Sequence, residues 1–178
     1  EHTYSVKLKT VVEKMSLEIV HQSTDYDEKL LTTTKMNRPG LQLAGYYEHF
    51  TQERMQLIGK MEMGYLSEIN SEEKFKKYAD LMITKVPAIV FCHGVDPDPE
   101  CIEAAKEFNV TILRTNLETS EVINKLLELL NNYLAPRITR HGVFVEIYGE
   151  GVLILGDSGI GKSEAAIELI KRGHRLVA

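Results

Sequence analysis

The chain has 178 residues, of which 43% are hydrophobic and 26% charged, values typical of a soluble globular protein of one or two domains. Acidic residues outnumber basic ones by 26 to 21, giving a net charge of −5. This balance argues against a nucleic-acid-binding surface, which needs a basic patch. No apolar run approaches the ~20 residues of a membrane-spanning helix, so we expect no membrane segment.

The two cysteines, Cys92 and Cys101, have neither the spacing of a zinc site nor that of a redox pair. We therefore expect two reduced core thiols in a cytoplasmic protein. The first residues, EHTYSVKLKTVVEKM, scatter apolar residues among charges and do not resemble a secretory signal. They also lack an initiator Met, which suggests that the first residues were trimmed or are not included in this sequence.

Strand-like runs alternate with helical patterns over residues 1–134. Ser71 is a plausible N-cap for a helix, and Pro99 lies near the start of another. We predict strands at 17–20, 28–34, 54–59, 88–92 and 110–115, and helices at 6–15, 72–82, 97–108 and 119–134. The stretch 37–50 opens with a Pro-Gly turn and then has apolar residues at helical spacing, which predicts a further helix there. Strands separated by helices predict an N-terminal α/β domain with a mostly parallel sheet.

A second unit begins at about His141, after a linker at 135–140 that contains Pro136 and two arginines. The sequence HGVFVEIYGEGVLIL predicts two strands joined by a tight turn at the GEG triplet. The residues after this hairpin predict a helix at 162–172 and the start of another strand at 174–178.

The hairpin leads into GDSGIGKS, which fits the phosphate-loop pattern G-x-x-x-x-G-K-[ST]. Glycines allow backbone N–H groups to surround an anion, and the following helix adds its positive N-terminal end. Lys162 can reach the β and γ phosphates, and Ser163 can bind a magnesium ion. We expect the whole loop to bind nucleotide, the other residues mainly through their backbone: Gly156, Asp157, Ser158, Gly159, Ile160 and Gly161.

The stretch from His141 to Ala178 closely resembles the HPr kinase/phosphorylase family, and the earlier NRPGLQLAGY resembles that family's N-terminal Arg-Pro-Gly-Leu…Ala-Gly-Tyr segment. The chain departs from the family at TTTKMN, before Arg38, where an acidic and serine-containing stretch is expected. It also has Glu146 where many relatives have Asp.

The resemblance implies an enzyme that uses ATP and Mg²⁺ to phosphorylate a serine of the carrier protein HPr in bacterial carbon-catabolite control. It also implies the reverse reaction, in which phosphate removes that group and pyrophosphate forms. Members are cytoplasmic and typically hexameric, and their P-loop kinase domain resembles phosphoenolpyruvate carboxykinase. Relatives continue beyond RLVA into a pair of aspartates, so we expect this chain to be a truncated and inactive fragment.

His141 is a candidate catalytic residue together with Lys162. If the hairpin turns at about Glu150, facing residues have numbers that sum to roughly 300, which sets His141 across from about Gly159. Spacing alone favours a structural histidine, but the resemblance implies an active-site element. Its role, charge stabilisation or positioning of a base, stays open.

Other conspicuous residues have simpler interpretations. His174 suits the negative end of a helix. Cys92 and His93 are adjacent on a predicted strand and would point to opposite faces, which argues against a catalytic pair. Arg38 favours a salt bridge over an anion site, and Tyr46 and Tyr47 are predicted core or interface aromatics.

Two alternative functions remain. The chain could belong to a metabolite-sensing P-loop NTPase without a protein substrate, or the N-terminal unit could be a non-enzymatic binding module.

Overall fold

The computed structural model describes residues 4–135 in full and the backbone of 142–147, 150–155 and 175–177. The chain divides into two compact units, Glu1–Ala135 and Pro136–Ala178. Among the residues described, none of the helices is both long and apolar enough to cross a membrane.

The first unit is an α/β domain. Its strands are β1 (Val6–Lys7), β2 (Glu18–His21), β3 (Leu30–Leu31), β4 (Met36–Asn37), β5 (Met55–Ile58), β6 (Ala88–Phe91) and β7 (Thr111–Arg114). Its helices are α1 (Leu8–Met15), α2 (Gly40–Leu43), α3 (Lys60–Ser67), α4 (Ser71–Ile83), α5 (Pro99–Phe108) and α6 (Thr119–Leu134).

The main sheet has the strand order β2-β7-β6-β5-β4. The strands β4, β5, β6 and β7 run parallel, whereas β2 pairs antiparallel with β7 at one edge. The prediction of a mostly parallel sheet is therefore confirmed. β1 and β3 form a separate antiparallel pair.

Two hydrophobic clusters cover the two faces of this sheet. Along β6, Ala88 and Val90 belong to the cluster that contains α1 and α6, while Ile89 and Phe91 belong to the one that contains α4 and α5. Successive strand residues point to opposite faces, so a buried strand in a sheet covered on both sides is apolar at every position. All four residues are fully buried.

The structure differs from the sequence prediction mainly between residues 36 and 70. β4 and α3 were not predicted, and the expected helix at 37–50 is the single turn α2. It ends where Gly45 adopts a positive φ of 102° and the Tyr46 N–H donates back to the Leu41 carbonyl. The predicted strand at 28–34 is reduced to the two residues of β3.

The start of α4 also lies one residue earlier than predicted. Asn70, not Ser71, is the N-cap, because its Oδ1 accepts a hydrogen bond of 2.9 Å from the Glu73 N–H. Ser71 is the first helical residue. The expected position of Pro99, at the first residue of α5, is confirmed.

The described backbone of the second unit forms three antiparallel strands, β8 (Gly142–Ile147), β9 (Glu150–Leu155) and β10 (Arg175–Val177), in the order β10-β8-β9. The predicted hairpin is thus confirmed, as is a strand within 174–178. The predicted helix at 162–172 lies outside the described residues, and so does most of the predicted linker at 135–140.

Candidate functional site

The phosphate loop, Gly156–Ser163, lies outside the described residues together with His141 and His174. The structure does describe the strand that precedes the loop. β9 ends at Leu155, the residue directly before Gly156, so a β-strand leads into the motif as a phosphate loop requires.

The register of the hairpin corrects one expectation. Gly142 pairs with Leu155 and Ile147 with Glu150, so the numbers of facing residues sum to 297 rather than about 300. Glu150 is already part of β9 and does not lie at the centre of the turn. The sum is thus three lower than the one that set His141 across from about Gly159, and that pairing lies outside the described residues. The position of His141 itself lies beyond the described strands.

In the first unit, the carboxyl ends of the four parallel strands lie along one edge of the sheet. Arg38 follows β4, Gly59 follows β5, Cys92 follows β6 and Thr115 follows β7. Ligands of open α/β sheets bind at the carboxyl ends of the strands.

The centre of this edge is an ion pair. Arg38 donates from Nε to Glu62 Oε1 at 2.9 Å and from Nη2 to Glu62 Oε2 at 3.0 Å. Glu62 also accepts from the Gly59 N–H at 3.0 Å, which caps the first turn of α3. The salt bridge predicted for Arg38 is confirmed. Its partner was not predicted, although an acid three residues after Gly59 is typical of a capped helix start.

Burial and hydrogen bonding have opposite effects on the pKa of Glu62. Its side chain is only 5% exposed, and this burial raises the pKa of the carboxyl group. Hydrogen bonds from Arg38 and from backbone N–H groups, with the positive charge of Arg38, outweigh the burial, so the pKa lies below its ordinary value. Glu62 is therefore a satisfied structural carboxylate with little capacity to accept a proton at neutral pH.

Gly59, between β5 and α3, lies where a side chain would collide with the start of α6. A Cβ atom at Gly59 would lie 2.6 Å from Thr119 Oγ1 and 3.3 Å from Arg38 Nη2. Thr119 is the first residue of α6 and also interacts with the Cys92 thiol. The absence of a side chain at Gly59 thus allows the start of α6 to approach the end of β5.

Cys92 and Cys101 are free, buried thiols, as predicted. Burial raises the pKa of Cys92 to about 11, and it also raises the pKa of Cys101. Both side chains are therefore protonated at neutral pH. His93 lies beyond the end of β6 and has a positive φ of 59°, so the argument against a Cys-His pair stands on burial rather than on strand alternation.

The remaining loop of this edge is held by Arg114. Its guanidinium donates to the carbonyls of Gly94 at 2.7 Å and Val95 at 3.3 Å, and it forms ion pairs with Asp96 and Glu18. This part of the edge is occupied by interactions within the protein. Across the described residues, no group of three His, Cys, Asp or Glu side chains could hold a metal ion.

The adjacent residues Tyr46 and Tyr47 differ in burial. Tyr47 packs against the core and meets the ring of Phe50 edge-on, with 5.5 Å between the ring centroids. Tyr46 is 49% exposed. The interpretation as a core aromatic is confirmed for Tyr47 only.

Both units of the chain match families of known proteins. Residues 6–130 match the family model described as HPr Serine kinase N terminus, and residues 132–178 match the one described as HPr Serine kinase C-terminal domain. The chain is 45% identical over 174 residues to an HPr kinase/phosphorylase of Lachnoclostridium phytofermentans and 43% identical over 173 residues to one of Clostridium acetobutylicum. These alignments cover 98% and 97% of the chain, which spans 56% of the length of either relative.

A solved structure shows a similar fold. The CBS and DRTGG domains of the regulatory region of Clostridium perfringens pyrophosphatase, complexed with the activator diadenosine tetraphosphate, align with a TM-score of 0.50 and 17% identity. The alignment covers 74% of this chain and 51% of that one, and at this identity it concerns the fold alone. With family models matching both of its units, the chain belongs to the HPr serine kinase family.

Proposed function

We propose that the protein containing this chain transfers the γ-phosphoryl group of ATP to a serine of HPr. The same protein would carry out the reverse reaction, in which inorganic phosphate removes the serine-bound group and pyrophosphate is released. The observation that carries the proposal is the complete phosphate-loop motif at 156–163, directly after β9, in a member of the HPr serine kinase family.

The residues of the loop suit this chemistry. The glycines leave backbone N–H groups free to surround phosphate oxygens, and Lys162 adds a compact cation for the β and γ phosphates. The hydroxyl of Ser163 is an oxygen donor of the kind that Mg²⁺ prefers, so Ser163 would hold the ion that accompanies ATP. Bound Mg²⁺ would neutralise charge on the phosphates.

His141, immediately before β8, is the second candidate catalytic residue. We propose that it stabilises charge on the transferring phosphoryl group or positions the base that accepts the serine proton. The pH profiles of the wild type and a His141→Asn variant would distinguish these two roles. Only charge stabilisation requires a protonated imidazole, so only in that case would the variant lack a decline in activity towards high pH that the wild type shows.

Further features follow from the family resemblance as proposals. They are a hexameric assembly of the full-length protein, a kinase domain related to that of phosphoenolpyruvate carboxykinase, and action in the cytoplasm on HPr. Sedimentation analysis of the full-length protein would test the hexamer.

The experiment uses the full-length protein with purified HPr, ATP and Mg²⁺, and detects phosphoserine by mass spectrometry. We expect HPr to be phosphorylated, and Lys162→Ala to weaken ATP binding by about 2 kcal/mol through loss of a charge-assisted contact. The matched control is Lys76→Ala, an exposed lysine on α4 in the first unit, which should leave ATP affinity unchanged.

Two results would contradict the proposal. ATP hydrolysis without modification of HPr would favour a metabolite-sensing NTPase. Equal ATP affinity of the wild type and Lys162→Ala in calorimetry would show that the motif does not bind the nucleotide.

A further inference from the structure

A cavity of about 310 Å³ opens at the β4 edge of the five-stranded sheet. Its lining comes from residues 34–38, from Arg54 and Leu57 at β5, and from Ile123 and Leu127 of α6. We call this cavity the β4 groove. The described residues that line it all belong to the first unit, and none of them is part of the phosphate-loop motif.

The floor of the β4 groove is apolar. Leu57 is fully buried, and Met36 and Ile123 are partly buried against the core cluster of α1 and α6. Leu127 is 39% exposed. Apolar side chains thus line a concave surface that solvent can reach, which is the usual composition of a small-molecule pocket.

The rim of the β4 groove is positively charged. Lys35, Arg38 and Arg54 contribute to it, and none of the carboxylates that the structure describes does. Arg38 uses two of its N–H groups on Glu62. Neither Lys35 nor Arg54 forms an ion pair with any residue in the part of the chain that the structure describes.

A second cavity, of about 360 Å³, adjoins the rim and shares Lys35 and Arg54 with it. Three of its other four lining residues are threonines, whose hydroxyls can donate hydrogen bonds to an anion, and the fourth is Glu53. Glu53 is exposed and lies beyond ion-pair distance of Arg54.

Arg54 is the residue of this surface that is best suited to bind an anion. Arg54 is a half-buried residue, and its guanidinium has no ion-pair partner among the described residues. Guanidinium is the side chain best suited to the paired oxygens of a phosphate or carboxylate.

We propose that the β4 groove binds a small organic anion, with a phosphate or carboxylate group between Lys35 and Arg54 and an apolar body on Leu57 and Leu127. The volume of the groove is at the lower end for ligand pockets, which favours a compact ligand over a coenzyme. The proposal does not depend on the kinase activity, because it involves no residue of the phosphate loop.

The test is a two-dimensional amide NMR titration of the 178-residue chain at low salt, in a Lys162→Ala background that weakens anion binding at the phosphate loop. Phenyl phosphate and phthalate are the probes, because each attaches anionic oxygens to a flat apolar ring, as one phosphate group in the first and as two carboxylate groups in the second. Comparison of the two separates recognition of phosphate from recognition of carboxylate. We expect shifts at residues 34–38, 54 and 123–127, with a Kd of about 1 mM or below for the preferred probe.

Substitutions and matched probes show which residues of the β4 groove contact the anionic group and which contact the apolar body. Arg54→Gln and Lys35→Gln should each weaken binding at least about fivefold, and Leu127→Glu at least about tenfold by placing a negative charge on the floor. Lys76→Gln, at an exposed lysine away from the groove, should have no effect. Inorganic phosphate, which lacks the apolar body, should bind at least about tenfold more weakly than phenyl phosphate.

Circular dichroism and thermal melting of each variant establish that it is folded, and the exposed positions of Lys35 and Leu127 make folding of these two variants the expected result. The proposal is overturned if neither probe shifts the groove amides. It is equally overturned if the folded Lys35→Gln and Leu127→Glu variants bind the probes as tightly as the parent chain.

Discussion

Arg38 and Glu62 form a two-pronged ion pair, with Nε–Oε1 and Nη2–Oε2 distances of 2.9 and 3.0 Å, that joins the end of β4 to the first turn of α3. The two residues are 24 positions apart in sequence, and Glu62 is almost fully buried. Arg38→Ala leaves that carboxylate without its cation, so we expect a loss of stability on the order of 2 kcal/mol, measured by urea unfolding at pH 7.

The ion pair of Arg38 and Glu62 also predicts how the unfolding free energy depends on pH. The pKa of Glu62 is lower in the folded protein than its unfolded value of about 4.3, so its contribution to stability is fully present above that value. It is lost as the pH falls from about 4.3 through the folded pKa. The difference in unfolding free energy between the wild type and Glu62→Gln should therefore be constant from pH 7 to about 5.5 and shrink towards pH 3. A difference that grows as the pH falls would contradict this assignment.

Gly59 and Gly64 provide a matched pair of glycine substitutions, one at the N-cap of α3 and one within it. Gly59→Ala brings a Cβ to 2.6 Å from Thr119 Oγ1, so we expect destabilisation of about 1–3 kcal/mol. A Cβ at Gly64 meets nothing within 4 Å, and alanine is favoured over glycine in a helix by about 1 kcal/mol. Gly64→Ala should therefore raise the melting temperature while Gly59→Ala lowers it. Equal effects of the two changes would argue against the packing described for Gly59.

The two thiols should report on opening of the first unit. Cys92 and Cys101 are fully buried, and burial raises the pKa of Cys92 to about 11. Since the thiolate is the reactive form, we expect both to react with a disulfide reagent at pH 8 far more slowly than the cysteines of the urea-unfolded chain. Rapid reaction of either thiol in the native protein would show that its surroundings open readily.

The first unit should fold without the second. Both of its core clusters are built from residues 6–134, within the unit Glu1–Ala135. We expect residues 1–135, expressed alone, to unfold in a single cooperative urea transition, and limited proteolysis of the longer chain to cut first near 135–140. Preferred cleavage within 85–115, which contains β6, α5 and β7, would contradict this boundary.

The elements and motifs that could be predicted from the sequence are those whose residue pattern is contained in one short segment. The apolar runs of β5, β6 and β7 and the amphipathic pattern of α6 identify themselves within a few residues, because burial on one or both faces dictates the residue type at each position. The phosphate loop is equally local, since its glycines, lysine and serine are consecutive.

Only the tertiary structure decided the features that join distant segments. β4 has only two residues, which pair with β5. α3 has a weak apolar pattern but is capped by Glu62, whose buried carboxylate pairs with Arg38. The β4 groove joins the segment before β4, the start of β5 and one face of α6. The sequence determined the family, the alternation of strands and helices and the nucleotide motif. The placement of charges and cavities required the fold, because a cation's partners and exposure depend on residues dozens of positions away.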